Sequence, residues 1–170
     1  GVFHLFDQSF TVSTGTLDVL LSDAADGYII ADAVQAKYLG NDGTEPPADN
    51  PPSEPIIVDN RDDAFSVVGR WGKSSFTPGY YLKDYRYAEP GGGELSAVWT
   101  FAVSDGAVDL SARWCAYRNR ASNAEYRIYK KSGNIIYPSG KRSGQAALEN
   151  NAQGNQGPGQ AKACGRIVLL

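Results

Sequence analysis

The sequence predicts an all-β protein, a β-sandwich of the jelly-roll kind. Three observations carry this. Nineteen Gly, nine Pro, ten Tyr and three Trp in 170 residues favour strands and turns over helices. Residues 108–117 alternate, with Val108, Leu110, Ala112, Trp114 and Ala116 set against Asp109, Ser111, Arg113, Cys115 and Tyr117. That is the period of a half-buried strand. No stretch reads as a helix of any length.

Along the chain, residues 2–6 and 9–12 read as strands, followed by a turn at 13–15. Residues 17–21 form the next strand and residues 22–27 a six-residue polar turn. Residues 28–38 read as one long strand, in which Asp32 is odd, because a carboxylate inside an apolar run needs a partner. Arg113 and Arg120 are the expected partners. Residues 40–55 form a spacer, with Pro46, Pro47, Pro51, Pro52 and Pro55 among its last ten residues. At about 3.1 Å per residue such a semi-rigid segment reaches about 50 Å. Strands follow at 56–59, 65–71, 85–87, 94–103, 108–117, 126–130 and 135–137, with a break at 90–93. Residues 139–163 read as a loop or weak edge, and residues 165–170 as a final apolar strand. The pattern at 165–170 echoes that at 1–6, so the end of the chain resembles its beginning.

The composition excludes several classes of function. Sixteen Lys and Arg against nineteen Asp and Glu leave a net charge of −3, which argues against a nucleic-acid binder working by phosphate neutralisation. The one histidine, His4, rules out a His-pair metal site and makes a His-based triad improbable. No run of residues is apolar enough to span a membrane. Glu94, Glu125 and Glu149 are scattered, without the paired context of a glycosidase. The expectation is therefore a protein without catalysis. The chain starts at Gly1, contains no Met and shows no signal-peptide pattern, so it reads as a processed or excised piece.

Three sets of residues are candidates for function. Trp71, Tyr80, Tyr81, Tyr85 and Tyr87 form either a sugar-stacking platform or ordinary strand packing with hydroxyls at the rim. Trp99 and Trp114 read as core. Asp23, Asp26, Asp32 and Asp59, with Asp62 and Asp63 nearby, supply either oxygens for a structural Ca²⁺ or turn-forming carboxylates. No other cofactor is expected. Cys115 and Cys164 are either a disulfide tying the last strand to the sheet or free buried thiols.

Several motifs carry a family resemblance. They are Ile57-Val58-Asp59-Asn60, Phe65-Ser66-Val67-Val68-Gly69-Arg70-Trp71, Pro78-Gly79-Tyr80-Tyr81, Asp84-Tyr85-Arg86-Tyr87, Ala97-Val98-Trp99-Thr100-Phe101, Ala112-Arg113-Trp114 and the segment 119–124. Through them residues 56–129 resemble the first half of a golvesin C-terminal-like domain, a β-sandwich module appended to secreted bacterial enzymes, including xanthan-lyase-like proteins. Through the segment Leu20 to Val34, residues 1–38 resemble its last half, so the two halves stand here in swapped order. The resemblance implies a non-catalytic module at an extracellular or cell-surface location.

The division expected is closing strands at 1–39, a linker at 40–55 and opening strands at 56–170. Residues 1–39 hold strands without an opposing sheet of their own, and the stiff linker favours their completing a neighbouring copy over closing the same chain. The expected function is thus head-to-tail assembly into a surface fibre or repeat array by strand complementation, with self-association as the partner interaction. The alternative is an accessory carbohydrate-binding module whose partner is a polysaccharide.

Overall fold

A computed structural model describes residues 1–6, 9–12, 15–40, 54–103, 106–130, 146–147 and 166–167, and every regular element among them is a strand. In chain order the first five are β1 (His4–Leu5), β2 (Phe10–Val12), β3 (Thr16–Ser22), β4 (Ile29–Ala31) and β5 (Ala33–Gly40). After the spacer come β6 (Ile56–Asp59), β7 (Phe65–Val68), β8 (Gly72–Ser74), β9 (Tyr85–Ala88) and β10 (Ser96–Ala102). The remainder are β11 (Gly106–Arg113), β12 (Glu125–Lys130), β13 (Ala146–Ala147) and β14 (Arg166–Ile167). The expected strand at 135–137 lies outside the described residues.

Two main sheets face each other across one core. The first runs β1-β11-β5-β6, with β2 also paired to β11; the second runs β13-β14-β12-β3-β10-β7. A small third sheet, β4-β9-β8, stands beside them. Alternation decides which side chains enter the core. On β3, Leu17, Val19 and Leu21 are fully buried, while Thr16, Asp18 and Leu20 are half-buried. Val19 sits between Trp99 of β10 and Ile128 of β12, and Leu21 between Ala97 and Tyr126. The opposite face of the same strand is polar, where the Thr100 hydroxyl donates to Asp18 Oδ1 at 2.7 Å. The first sheet supplies Val34 and Ala36 from β5, and Val108, Leu110 and Ala112 from β11. Aromatic rings close the gap between sheets, with Phe6 centred 5.4 Å from Tyr126 and Tyr126 6.2 Å from Trp99. The all-β sandwich expected from the sequence is the fold observed.

The first five strands share a property that governs the fold. None pairs with another of the five: β1 and β2 pair with β11, β3 with β10 and β12, β4 with β9, and β5 with β11 and β6. Residues 1–40 therefore have no sheet of their own, as the sequence suggests. Here they complete the sheets of residues 56–130 of the same chain. The spacer joins neighbouring antiparallel strands, since Ala36 of β5 stands opposite Ile56 of β6.

Two local expectations change. Residues 28–38 are not one strand: β4 and β5 belong to different sheets, and the chain crosses between them at Asp32. The expected strand at 108–117 ends at Arg113. Its parity therefore lapses before Trp114 and Cys115, and both are buried.

The crossover explains the odd carboxylate. Asp32 is fully buried, and the Tyr81 amide donates to both of its oxygens at 3.0 Å. Arg113 is the arginine that faces it, with Nε 3.9 Å from Asp32 Oδ2. The same guanidinium donates to the carbonyls of Gly79 at 3.0 Å and Tyr80 at 3.1 Å, so it closes the 79–81 loop over the carboxylate. Burial pushes the Asp32 carboxyl up to about 7; the Tyr81 amide opposes this, the neighbouring Asp59 adds to it and Arg113 opposes it. Burial and then the Asp62 charge push Asp59 up to about 6, against the amides of Asn60 and Arg61. By distance and angle neither buried Asp59 oxygen completes a hydrogen bond with those amides among the described residues, so their opposition is weak and burial prevails.

Two predictions follow from this packing. Leu21→Ala is expected to cost about 2–5 kcal/mol, as for a large core truncation, whereas Phe76→Ala, at a side chain 82% exposed, is expected to stay within about 0.5 kcal/mol. Urea denaturation of the two variants checks the contrast. For Asp32 the folded state keeps a proton that the unfolded chain releases above about pH 4. Its contribution therefore falls as pH rises from about 4 to about 7. Asp32→Asn retains an acceptor for the Tyr81 amide but does not ionise. Its melting temperature, relative to the unsubstituted chain, is expected to be higher at pH 8 than at pH 5. Parallel curves would show that Asp32 is ionised throughout.

Candidate functional site

The small sheet and the segment after β11 build a cavity of about 350 Å³. Strand β9 contributes Tyr85 and Tyr87, which share a face because side chains two apart on a strand point the same way. Strand β8 contributes Lys73 and Ser74, and the chain just beyond it Phe76 and Thr77. Tyr28, immediately before β4, forms another wall. A turn closed by the Arg120 amide on the Tyr117 carbonyl, at 3.1 Å, supplies Tyr117, Asn119 and Arg120.

Two glycines permit the close approaches that shape this cavity. A Cβ at Gly72 would meet the Tyr87 ring at 2.3 Å, so the ring lies directly on β8. A Cβ at Gly27 would meet the backbone of Arg120 and Ala121 at 2.9 Å. That contact lets the Tyr28 amide donate to the Asn119 carbonyl and the Ala121 amide donate to the Tyr28 carbonyl, each at 3.0 Å. The 117–121 segment is thereby stitched to the strand that carries Tyr28. The rings of Tyr28 and Tyr87 are 6.2 Å apart, and the Tyr28 hydroxyl donates to Glu89 at 3.3 Å.

Arg120 is the buried charge of the cavity, 6% exposed. Its Nε donates to the Cys115 carbonyl at 3.2 Å and Nη1 to Asn119 Oδ1 at 2.9 Å. Its Nη2 donates to Thr77 Oγ1 at 2.9 Å and to the Tyr85 hydroxyl at 3.3 Å. The guanidinium also lies over the rings of Tyr117 and Tyr85, at 5.6 and 5.7 Å from their centroids. Burial opposes ionisation of Tyr85, but hydrogen bonds from Ser74 and Thr77, together with the Arg120 charge, hold its phenol below the ordinary value.

The structure separates the residues singled out in the sequence. Of the proposed sugar platform, Tyr85 and Tyr87 line the cavity. Trp71 is a core residue whose Nε1 donates to the Val68 carbonyl at 3.2 Å. Tyr80 and Tyr81 belong to the loop around Asp32, with Arg113 over the Tyr81 ring at 5.7 Å. The lining residues that the sequence did not mark as a site include Tyr28, Phe76, Tyr117 and Arg120. Their one shared signal is an aromatic or basic side chain beside a turn, which is too common to select them.

The calcium candidates go to separate places. Asp23 Oδ1 accepts from the Leu95 amide at 3.0 Å. Asp26 accepts from the amide and hydroxyl of Ser122, and its own amide donates to Asn123 Oδ1 at 2.8 Å. Asp32 and Asp59 lie near each other at the crossover. Among the described residues no three His, Cys, Asp or Glu side chains are grouped to hold a metal. Cys115 is a buried free thiol, pushed up to about 12 by burial with Asp32 adding to the effect; Cys164 lies outside the described residues. His4 stacks on Trp114 at 4.4 Å, away from the cavity lining. No helix among the described residues is long and apolar enough to cross a membrane.

The family model of the Golvesin C-terminal domain matches residues 56–146, a span that contains every residue lining the cavity except Tyr28. No curated protein and no solved structure matches the chain. Since the matched span is more than half of the 170 residues, the chain belongs to the Golvesin C-terminal domain family.

Proposed function

We propose that this chain is a non-catalytic, carbohydrate-binding β-sandwich module of a secreted or cell-surface protein. The observation that carries the reading is the cavity itself, where aromatic rings converge with a few polar donors on rigid strands. Pyranose rings present flat C–H faces to aromatic side chains, while their hydroxyls need fixed hydrogen-bond partners, and such a mixed lining suits both. The module is read as non-catalytic because the sequence offers no paired carboxylates and its one histidine, His4, does not line the cavity.

Self-assembly is a second reading, favoured by the strand pairing. Among the described residues, each of β1 to β5 pairs only with strands of residues 56–130. Exchange of residues 1–40 between copies therefore preserves every pair and alters only the path of the spacer. Such exchange predicts oligomers whose population rises with concentration. A single 18 kDa species at all concentrations by sizing removes this reading.

The carbohydrate reading is tested by affinity electrophoresis of the chain through gels containing neutral and acidic polysaccharides. Retardation by at least one polysaccharide is expected. Phe76→Ala, exposed and therefore harmless to the fold, is expected to weaken binding about tenfold, equivalent to about 1.4 kcal/mol. Unretarded migration in every gel would overturn the reading.

A further inference from the structure

We propose that the cavity binds acidic saccharides, with the guanidinium of Arg120 receiving the carboxylate of a uronic acid residue. This rests on the carbohydrate reading above and narrows it to one class of ligand.

The argument starts from charge balance. A buried cation is costly unless an opposite charge accompanies it. Arg113, 20% exposed, has the Asp32 carboxyl 3.9 Å from its Nε. Arg120 is more buried than Arg113 and has no carboxylate within ion-pairing distance among the described residues. Its four acceptors are a carbonyl, an amide oxygen and two hydroxyls, all neutral. A guanidinium carries five N–H donors, and these bonds use four, leaving one on Nη1 beside Asn119. The Asn119 side chain, whose Oδ1 accepts from that nitrogen, brings further N–H donors at Nδ2.

The rest of the lining has the same sign. Lys73 is the second charged residue of the cavity wall, and no carboxylate lines it. The Lys73 ammonium is 3.4 Å from Asp84, whose charge is shared with Arg61 at 2.9 Å. Glu89, held by the Tyr28 hydroxyl, does not line the cavity. The uncompensated positive charge is thus that of Arg120, at a wall of tyrosines where sugar rings would stack. A carboxylate on such a ring would supply the missing anion through a charge-assisted hydrogen bond, which is shorter and stronger than a neutral one. The chain as a whole carries −3, so its overall field does not gather polyanions, and selectivity for them would arise in the cavity.

The experiment changes the ligand first and the protein second. The full chain is titrated calorimetrically with trigalacturonate, with the same trisaccharide after carboxyl reduction, and with dextran sulfate as a polyanion without carboxylates. Monomeric galacturonate is added to distinguish a free sugar acid from a glycan chain. Binding of trigalacturonate at least tenfold tighter than its reduced form, and tighter than dextran sulfate or the monomer, is the expected result. Arg120→Lys and Arg120→Gln are expected to abolish that preference; if either fails to fold, the comparison of native and reduced ligand on the unsubstituted chain decides alone. Equal binding of the two trisaccharides, or retention of neutral polysaccharides only, would overturn the acidic specificity and leave the carbohydrate reading standing. Equal or tighter binding of dextran sulfate would show attraction by charge alone and also overturn it. Retention of no saccharide at all would remove both.

Discussion

The fold depends on the strand pairing between residues 1–40 and residues 56–130. Strand β3 lies between β10 and β12, and β5 lies between β11 and β6, so each segment supplies strands that would otherwise leave the other with open edges. Unpaired backbone groups at such edges, and an apolar face without an opposing sheet, make either segment alone a poor folding unit. Joined, they bury one continuous core in which Val19, Trp99 and Ile128 stand side by side.

The same pairing builds the cavity. Most of its wall comes from β8, β9 and the 117–120 turn, but Tyr28 comes from the first segment. The close contact of Gly27 with Arg120 and Ala121 fixes that ring against the others. The complete cavity wall therefore requires both segments. A ligand that needed the Tyr28 wall would stabilise the docked state by mass action.

Buried charge is divided unevenly between the two sides of the crossover. Asp32 marks the point where the chain leaves the small sheet for the large one. It is held by the Tyr81 amide and by Arg113, which also gathers the 79–81 carbonyls. Arg120 instead spends its donors on neutral groups and faces an open cavity. One arginine closes a structural joint, while the other lies buried in the cavity wall.

The class of fold follows from alternation and turn composition, which are local properties of the chain. Leu17, Val19 and Leu21, and likewise Ala97, Trp99 and Phe101, are inward where period two places them. The sequence also marked Asp32 as needing a partner, since the cost of a carboxylate in Ile29-Ile30-Ala31-Asp32-Ala33-Val34 is independent of topology. Local pattern did not show that β4 and β5 pair in different sheets, because both flanks of Asp32 are apolar and read as one run. Nor did it sort the tyrosines: Tyr80 and Tyr81 resemble Tyr85 and Tyr87 in composition, yet only the latter two line the cavity. Which arginine meets Asp32, and which is left without a counter-charge, was decided by tertiary structure alone. That choice depends on where residues 79–81 and 117–120 come to rest against strands far away in sequence, and no local periodicity encodes such contacts.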